Sequence, residues 1–223
     1  MMLALALALA FAFPQAQSRD CSATTDPRCP MFGDVNGDGQ PDRVSVSRLG
    51  ACRFALVVQT GTRTLRAPLR PFCDKPSEVW AMGFPRVIAL RPMNNRPGLE
   101  PEVLMWHGAS NSGLRFFTVS KGRLVPVRIE PEVFPRDEWS VGGFALAFSV
   151  HDCIRPHVVG VLSAWYSARR WTFEGTVYRV SGTAFVRVSL RRHHARRLVD
   201  TRQMWPYVAG DEFRHCGGIV RAQ

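Results

Sequence analysis

The chain has 223 residues and carries 29 lysine and arginine residues against 18 aspartate and glutamate residues, which gives a formal net charge of +11 at pH 7. Beyond the N-terminal segment, no apolar stretch approaches the roughly 18 residues of a transmembrane helix, which excludes a helical membrane anchor in the mature chain. About 200 residues then remain, enough for one domain with a hydrophobic core or for two small ones.

The N-terminal segment MMLALALALAFAFPQAQS has the apolar run and the small and polar residues that are typical of a signal peptide. We expect residues 1–17 to be a signal peptide, residues 18–32 a linker, and residues 33–223 a single all-β domain. The protein is therefore expected to be exported and to be secreted, held at the cell surface or periplasmic. Cys21 is not expected to carry a lipid, because the preceding residues Ser-Arg-Asp lack the expected apolar and small side chains.

The stretch GDVNGDGQPDRVSV, residues 33–46, is acidic in an otherwise basic chain. It places short oxygen-bearing side chains at alternate positions and then passes into a strand-like segment. Hard cations take oxygen ligands, and carboxylates so close in the chain repel one another when no cation is bound. The sequence therefore predicts one structural Ca²⁺ site, with Asp34, Asn36, Asp38, Gln40 (through its carbonyl) and Asp42 as ligands. The alternative is an Asp/Asn/Gly-rich turn that binds no ion.

This loop is not an EF-hand, because Ser45 stands where the closing glutamate would be and Pro41 lies within the loop. Instead, FGDVNGDGQPDRVSV resembles the calcium loop of the FG-GAP and VCBS repeats, the blade type of integrin α-chain β-propellers. That pattern runs D-x-[DN]-G-D-G-x-x-D before a strand. The later stretch EVLMWHGASNSGLRFFTVSKGRLVPV is similar to short exported bacterial proteins with one or two such repeats.

Apolar residues recur with period two along most of the chain and amphipathic helical runs are scarce, so we expect an all-β fold. Glycines in the turns at 121–122 and 181–182 indicate tight hairpins. A loose internal repeat divides the chain into three units, 33–72, 81–130 and 142–190. Each unit has about the length of a four-stranded propeller blade. We therefore expect about three four-stranded antiparallel units in a partial or small β-propeller.

In the second unit the chain reads RPMNNRPGLEPEV where a calcium loop should lie. It offers Asn94, Asn95, Glu100 and Glu102 but no aspartate, in a spacing unlike that of the first loop. We therefore expect no second Ca²⁺ site.

The chain contains six cysteines, and an even number in an exported protein indicates a disulfide framework. Zinc binding is disfavoured because no pair has a C-x2-C spacing. Six cysteines allow 15 pairings, and the sequence alone does not choose among them. Of these, the nearest-neighbour set, Cys21–Cys29, Cys52–Cys73 and Cys153–Cys216, is the one that we expect.

Two segments invite a catalytic interpretation. WHGASNSG contains His107 and Ser110 but lacks the G-x-S-x-G pattern of a nucleophile elbow. VHDC places His151 beside Cys153, which we expect to be oxidised. We therefore expect a protein that is not an enzyme.

The densest basic cluster is RRHHARR, residues 191–197. It is either a solvated turn or edge, or a contact for a polyanion through Arg191, Arg192, Arg196 and Arg197. Aromatic residues for base stacking are absent there, so nucleic acid is an unlikely ligand. The expected function is that of an exported, non-catalytic binding or scaffold protein whose partner is another protein or an anionic cell-envelope polymer. The alternatives are a secreted hydrolase with an unrecognised active site and, if two or more tryptophans are exposed together, a polysaccharide-binding module.

Overall fold

The computed structural model describes residues 29–71, 73, 85–108, 111–130, 138–144, 147–196 and 216–220. The expected signal peptide, residues 1–17, and most of the expected linker, residues 18–32, lie outside this part of the chain. Where the chain is described it contains no α-helix, which confirms the all-β fold class. No helix in the described part is long and apolar enough to cross a membrane.

The first sheet is a four-stranded antiparallel meander. Its strands follow the chain in the order β1 (Met31–Gly33), β2 (Asp42–Arg48), β3 (Phe54–Thr60) and β4 (Arg63–Leu69). Alternate residues of β2 and β4 face inward, as a half-buried strand requires. Val44 pairs with Val58, and Leu56 pairs with Ala67, and all four are buried. This sheet coincides with the first expected unit.

The larger sheet has eleven strands and pairs mostly antiparallel. Its strands are β5 (Arg86–Arg91), β6 (Glu100–His107), β7 (Asn111–Ser120), β8 (Arg123–Pro126), β9 (Arg128–Glu130), β10 (Trp139–Phe144), β11 (Ala147–Arg155), β12 (Val158–Ser167), β13 (Arg170–Ser181), β14 (Ala184–Ala195) and β15 (Ile219–Val220). The order across the sheet is β15-β5-β6-β7-β10-β11-β12-β13-β14-β9, and β8 also pairs with β7. Among the described strands, the two end strands β15 and β9 do not pair with each other, so the sheet is open.

Strand β7 joins the second expected unit to the third. Its residues 111–114 pair with β10 and its residues 117–120 pair with β8. Because β8 has only four residues, part of the same edge of β7 is available to β10. Strands β10–β14 therefore continue the sheet of β5–β7. The expectation that residues 142–190 form a separate four-stranded unit was wrong, because these strands belong to the same sheet as the second unit.

The two sheets share one hydrophobic core. It contains Leu56 and Val58 of the first sheet together with Phe116, Trp139 and Phe185 of the larger sheet. The Trp139 ring is fully buried and meets the rings of His151, Tyr178 and Phe185 edge-on, each at a centroid distance of 5.1 Å. Burial lowers the pKa of His151 to about 3, so this imidazole is a neutral part of the core.

Two of the three expected disulfides are confirmed. Cys52 is bonded to Cys73 and Cys153 is bonded to Cys216, and no described cysteine is a free thiol. Cys29 is also disulfide-bonded, while its expected partner Cys21 lies outside the described residues. The Cys153–Cys216 bond fixes the C-terminal segment beside β5, where β15 pairs with Ala89 and Leu90. These bonds are compatible with export.

Candidate functional site

The acidic loop between β1 and β2 is wound around the carboxylate of Asp34. Its Oδ1 accepts the backbone N–H of Gly37 at 2.7 Å, and its Oδ2 accepts that of Gly39 at 2.9 Å. Both glycines have positive φ, 80° and 82°, a conformation that side-chain-bearing residues rarely adopt. The glycine positions of the sequence motif are therefore the ones that the turn requires.

Asp42 closes the loop from the first position of β2. Its side chain is 1% exposed, and its Oδ2 accepts the backbone N–H groups of Val35 at 2.9 Å and Asn36 at 3.1 Å. Since buried backbone donors need acceptors, this carboxylate has a structural role even without a cation.

Asn36 and Asp38 lie at the outer side of the loop and contact each other. Asn36 Nδ2 donates to Asp38 Oδ2 at 2.8 Å, and Asn36 Oδ1 accepts the Asp38 N–H at 2.8 Å. The Asn36 amide, and after it the Gln40 N–H bonded to Oδ1, lower the pKa of the Asp38 carboxyl. This carboxylate is exposed and ionised.

The donors of this loop fit Ca²⁺ in their chemistry. Asp34, Asp38 and Asp42 offer carboxylate oxygens, and the remaining two predicted ligands are the Asn36 amide oxygen and the Gln40 carbonyl, all hard donors. In the described part of the chain, no three or more His, Cys, Asp or Glu side chains are gathered closely enough to hold a metal ion. Because Asp38 is exposed, its side chain can turn toward the other ligands without disturbing the core.

The loop between β5 and β6, which we call the second loop, repeats hydrogen bonds of the acidic loop. Glu100 Oε2 accepts the N–H groups of Met93 at 2.8 Å and Asn94 at 3.3 Å, as Asp42 does for the residues seven and six positions before it. Asn94 Oδ1 accepts the N–H of Arg96, two positions later, as Asn36 does for Asp38. Asn94 and Glu100 therefore have the same spacing as Asn36 and Asp42, and our expectation that the spacing of the second loop differs was wrong for these two residues.

The strands on either side of the two loops are paired in the same register. Gly33 pairs with Asp42, and 58 positions later Arg91 pairs with Glu100. The pair Ser45–Val57 corresponds in the same way to Val103–Arg115. The correspondence was hidden in the sequence because Pro92 and Arg96 stand where the first loop has Asp34 and Asp38. The second loop therefore lacks two of the carboxylates of the first.

The two loops pack directly against each other. The N–H of Leu99 donates to the carbonyl of Asp34 at 2.7 Å. A Cβ on Gly37 would lie 2.7 Å from the carbonyl oxygen of Pro97, so only glycine fits this contact. The acidic loop therefore lies at a junction of the two sheets, where its conformation affects both.

Behind the second loop, a group of charged and polar side chains is buried. Arg91 Nε donates to Glu102 Oε2 at 2.8 Å, with the side chains 4% and 0% exposed. Arg91 Nη1 also donates to the carbonyl of Gly217 at 3.1 Å, which ties the C-terminal segment to β5. We considered Glu102 only as a possible ligand, and its pairing with Arg91 was not predicted from the sequence.

Glu100 lies beside this pair. Its Oε1 accepts the hydroxyl of Thr118 at 3.1 Å and contacts the Asn94 amide. Burial raises the pKa of its carboxyl to about 7, against the opposing effect of the N–H groups of Met93 and Asn94. Glu100 and Asn94 were both candidate oxygen donors in the sequence, but their contact with each other was not predicted.

The basic cluster lies mainly on strand β14. Residues 186–194 of this strand, which we call the basic strand, are exposed without interruption. Arg191, Arg192 and Arg196 are exposed, and Arg197 lies outside the described residues. Arg192 Nε contacts Glu174 Oε2 at 2.7 Å on the neighbouring strand. The cluster therefore lies on a strand next to the end of the sheet, and contact with a polyanion stays a prediction.

Of the catalytic candidates, Ser110 lies outside the described residues. His107 Nδ1 contacts Ser112 Oγ at 2.6 Å, across the pairing of β6 with β7. Ser112 is buried. Cys153 is held in its disulfide and offers no thiolate.

Comparison of the chain with protein-family models, curated proteins and solved structures gave no significant match.

Proposed function

We propose that the protein is an exported, non-catalytic binding module that uses the basic strand to contact an anionic partner. The single observation that carries this proposal is the uninterrupted exposure of residues 186–194 on a strand that is rich in arginine. Exposed cations attract anionic partners over a distance of about a Debye length, roughly 8 Å at physiological salt. The anionic partner is a protein or a cell-envelope polymer.

We further propose that the acidic loop binds one structural Ca²⁺ through Asp34, Asn36, Asp38, Gln40 and Asp42. The contact of this loop with the second loop supports a structural role, because an ion held there would stabilise the junction between the sheets. The equal register around both loops supports FG-GAP-like units, with β1–β4 and β5–β8 as the first two blades of a partial β-propeller.

The alternative function, a secreted hydrolase, is favoured by one contact, that of His107 with Ser112. A serine nucleophile must reach its substrate, and Ser112 is buried. A polysaccharide-binding module would need adjacent exposed tryptophans. Of the described tryptophans, Trp165 is exposed and Trp106 is partly buried, whereas Trp139 and Trp171 are buried. The geometry therefore favours the anion-binding module.

Replacing Arg191, Arg192 and Arg196 by Ser should lower the salt concentration at which the protein elutes from a heparin column. Each arginine that contacts an anionic chain strengthens binding and steepens the fall of the binding constant with salt, by about one unit in a plot of log K against log salt concentration. Losing these contacts therefore weakens binding, so the variant elutes at lower salt. The matched control replaces three exposed arginines elsewhere, Arg63, Arg66 and Arg123, by Ser, and removes the same charge. Equal elution of the two variants would contradict a binding role for the basic strand.

A further inference from the structure

Strand β14 has one edge that is largely unpaired within the described part of the chain, and we call it the open edge. Its other edge pairs with β13 from Ala184 to Ala195, with a register shift between Val177 and Tyr178 that leaves Val188 without a partner on β13. On the open edge β9 pairs with residues 184–186 only, and no other described strand pairs there. The nine exposed residues of the basic strand therefore include a stretch of backbone, 187–194, that no described strand covers.

The pairing register shows which backbone groups of this stretch point outward. Ser167 and Arg170 flank the two-residue turn between β12 and β13, so they exchange hydrogen bonds. Every second residue of β13 after Arg170, including Glu174 and Thr176, then bonds toward β12. The residues opposite them on β14 are Arg192 and Leu190. Their N–H and C=O groups consequently point away from β13, toward the open edge.

The side chains of the basic strand combine charge with apolar surface. Val188 is 50% exposed and Leu190 is 41% exposed. Arg187, Arg191 and Arg192 are exposed between and beside them. An exposed row of backbone donors and acceptors is a template for another strand, and exposed apolar side chains add buried area when a strand binds.

We propose that the basic strand binds an extended acidic segment of another polypeptide, which adds to the sheet as a strand alongside residues 189–194, the part of the open edge beyond the bulge at Val188. This proposal rests on the proposed function and names the class of its anionic partner. Only a polypeptide offers alternating N–H and C=O groups to the outward-pointing groups of Leu190 and Arg192. Carboxylates on the added strand meet the arginines, as opposite charges on neighbouring strands stabilise a sheet.

A second copy of this chain does not fit the same edge. Pairing of two β14 strands would bring the arginines of one copy against those of the other, and like charges on paired strands are destabilising. The positive charge of the arginines therefore opposes pairing with a second copy of this edge and favours pairing with an acidic strand.

The experiment measures binding of a fluorescent eight-residue peptide of alternating Glu and Val by anisotropy at low and physiological salt. Leu190→Pro removes one outward N–H and leaves every arginine in place, and proline is tolerated on strand edges. Leu190→Val is the matched control. We expect at least a tenfold loss of peptide affinity for Leu190→Pro, wild-type affinity for Leu190→Val, and unchanged elution of both variants from heparin. Equal peptide affinity of the two variants would overturn strand addition.

A second measurement leaves the protein unchanged. The same peptide is N-methylated either at its valines or at its glutamates, so that one set of alternate N–H groups is removed at a time. Strand addition predicts that one of the two peptides loses binding and the other retains it. Equal binding of both peptides, or no binding of the unmodified peptide, would overturn the inference. If the wild-type protein binds heparin in that case, the anion-binding function stands; if it binds neither ligand, the proposed function fails too.

Discussion

Replacing Glu102 by Leu should lower the free energy of unfolding by about 3–5 kcal/mol, because the Arg91 guanidinium would stay buried without its carboxylate. The two side chains are 2.8 Å apart and almost completely buried, so water cannot replace the lost partner. The expected loss is large because a domain of this size has a total stability of about 5–15 kcal/mol. Urea unfolding, followed by the fluorescence of the tryptophans, measures this loss.

The control for this prediction is the double variant Arg91→Met with Glu102→Leu. An apolar pair of similar volume removes both charges, and such replacements of buried ion pairs are often neutral. The Gly217 carbonyl, which loses its Arg91 donor, belongs to an exposed residue and can bind water instead. We expect the double variant to be more stable than the single one. A single variant that loses less than about 1 kcal/mol would contradict the buried pair.

Replacing Asp42 by Ala should cost about 2–3 kcal/mol even when a chelator has removed all calcium. The substitution leaves the buried N–H of Val35 and the part-buried N–H of Asn36 without their acceptor, and an unsatisfied buried donor costs about 1–3 kcal/mol. The measurement is thermal or urea unfolding in excess EDTA.

Two other variants separate the structural role of Asp42 from its role toward the cation. Asp42→Asn keeps an acceptor oxygen and should cost less than Asp42→Ala in EDTA. Asp38→Ala removes an exposed side chain and should leave stability in EDTA unchanged. If Asp42→Ala unfolds in EDTA like the wild type, the hydrogen bonds that close the loop have no stabilising role.

Local features of the fold could be predicted from the sequence. The alternation of apolar residues predicted strands, and glycine turns located the hairpins β7–β8 and β13–β14, because short turns fix which strands are neighbours. The pairing of β7 with β10 could not be predicted, since it depends on the length of β8 and on a free half of the β7 edge. Non-local pairing leaves no local signal in the sequence.

The candidate site was predictable only in part. The motif located the acidic loop, and the arginine cluster located the basic strand. The second loop was misinterpreted because Pro92 and Arg96 replaced the residues that define the motif, although Asn94 and Glu100 kept their hydrogen bonds. The Arg91–Glu102 pair was not predicted because charged residues are almost never fully buried unless they are paired. The sequence does not show which residues are paired, so the burial of these two side chains could not be predicted from it.

Calorimetric titration of the protein with Ca²⁺, beside the variants Asp38→Ala and Gln40→Ala, tests the calcium loop most directly. We predict one-to-one binding that is lost in Asp38→Ala and retained in Gln40→Ala, because residue 40 is expected to contribute only its backbone carbonyl. At a free Ca²⁺ concentration a hundredfold above Kd, binding would add about 2.7 kcal/mol to the stability of the fold. Absence of binding by the wild-type protein, or full binding by Asp38→Ala, would contradict the calcium site and leave the acidic loop as a turn held by its own hydrogen bonds.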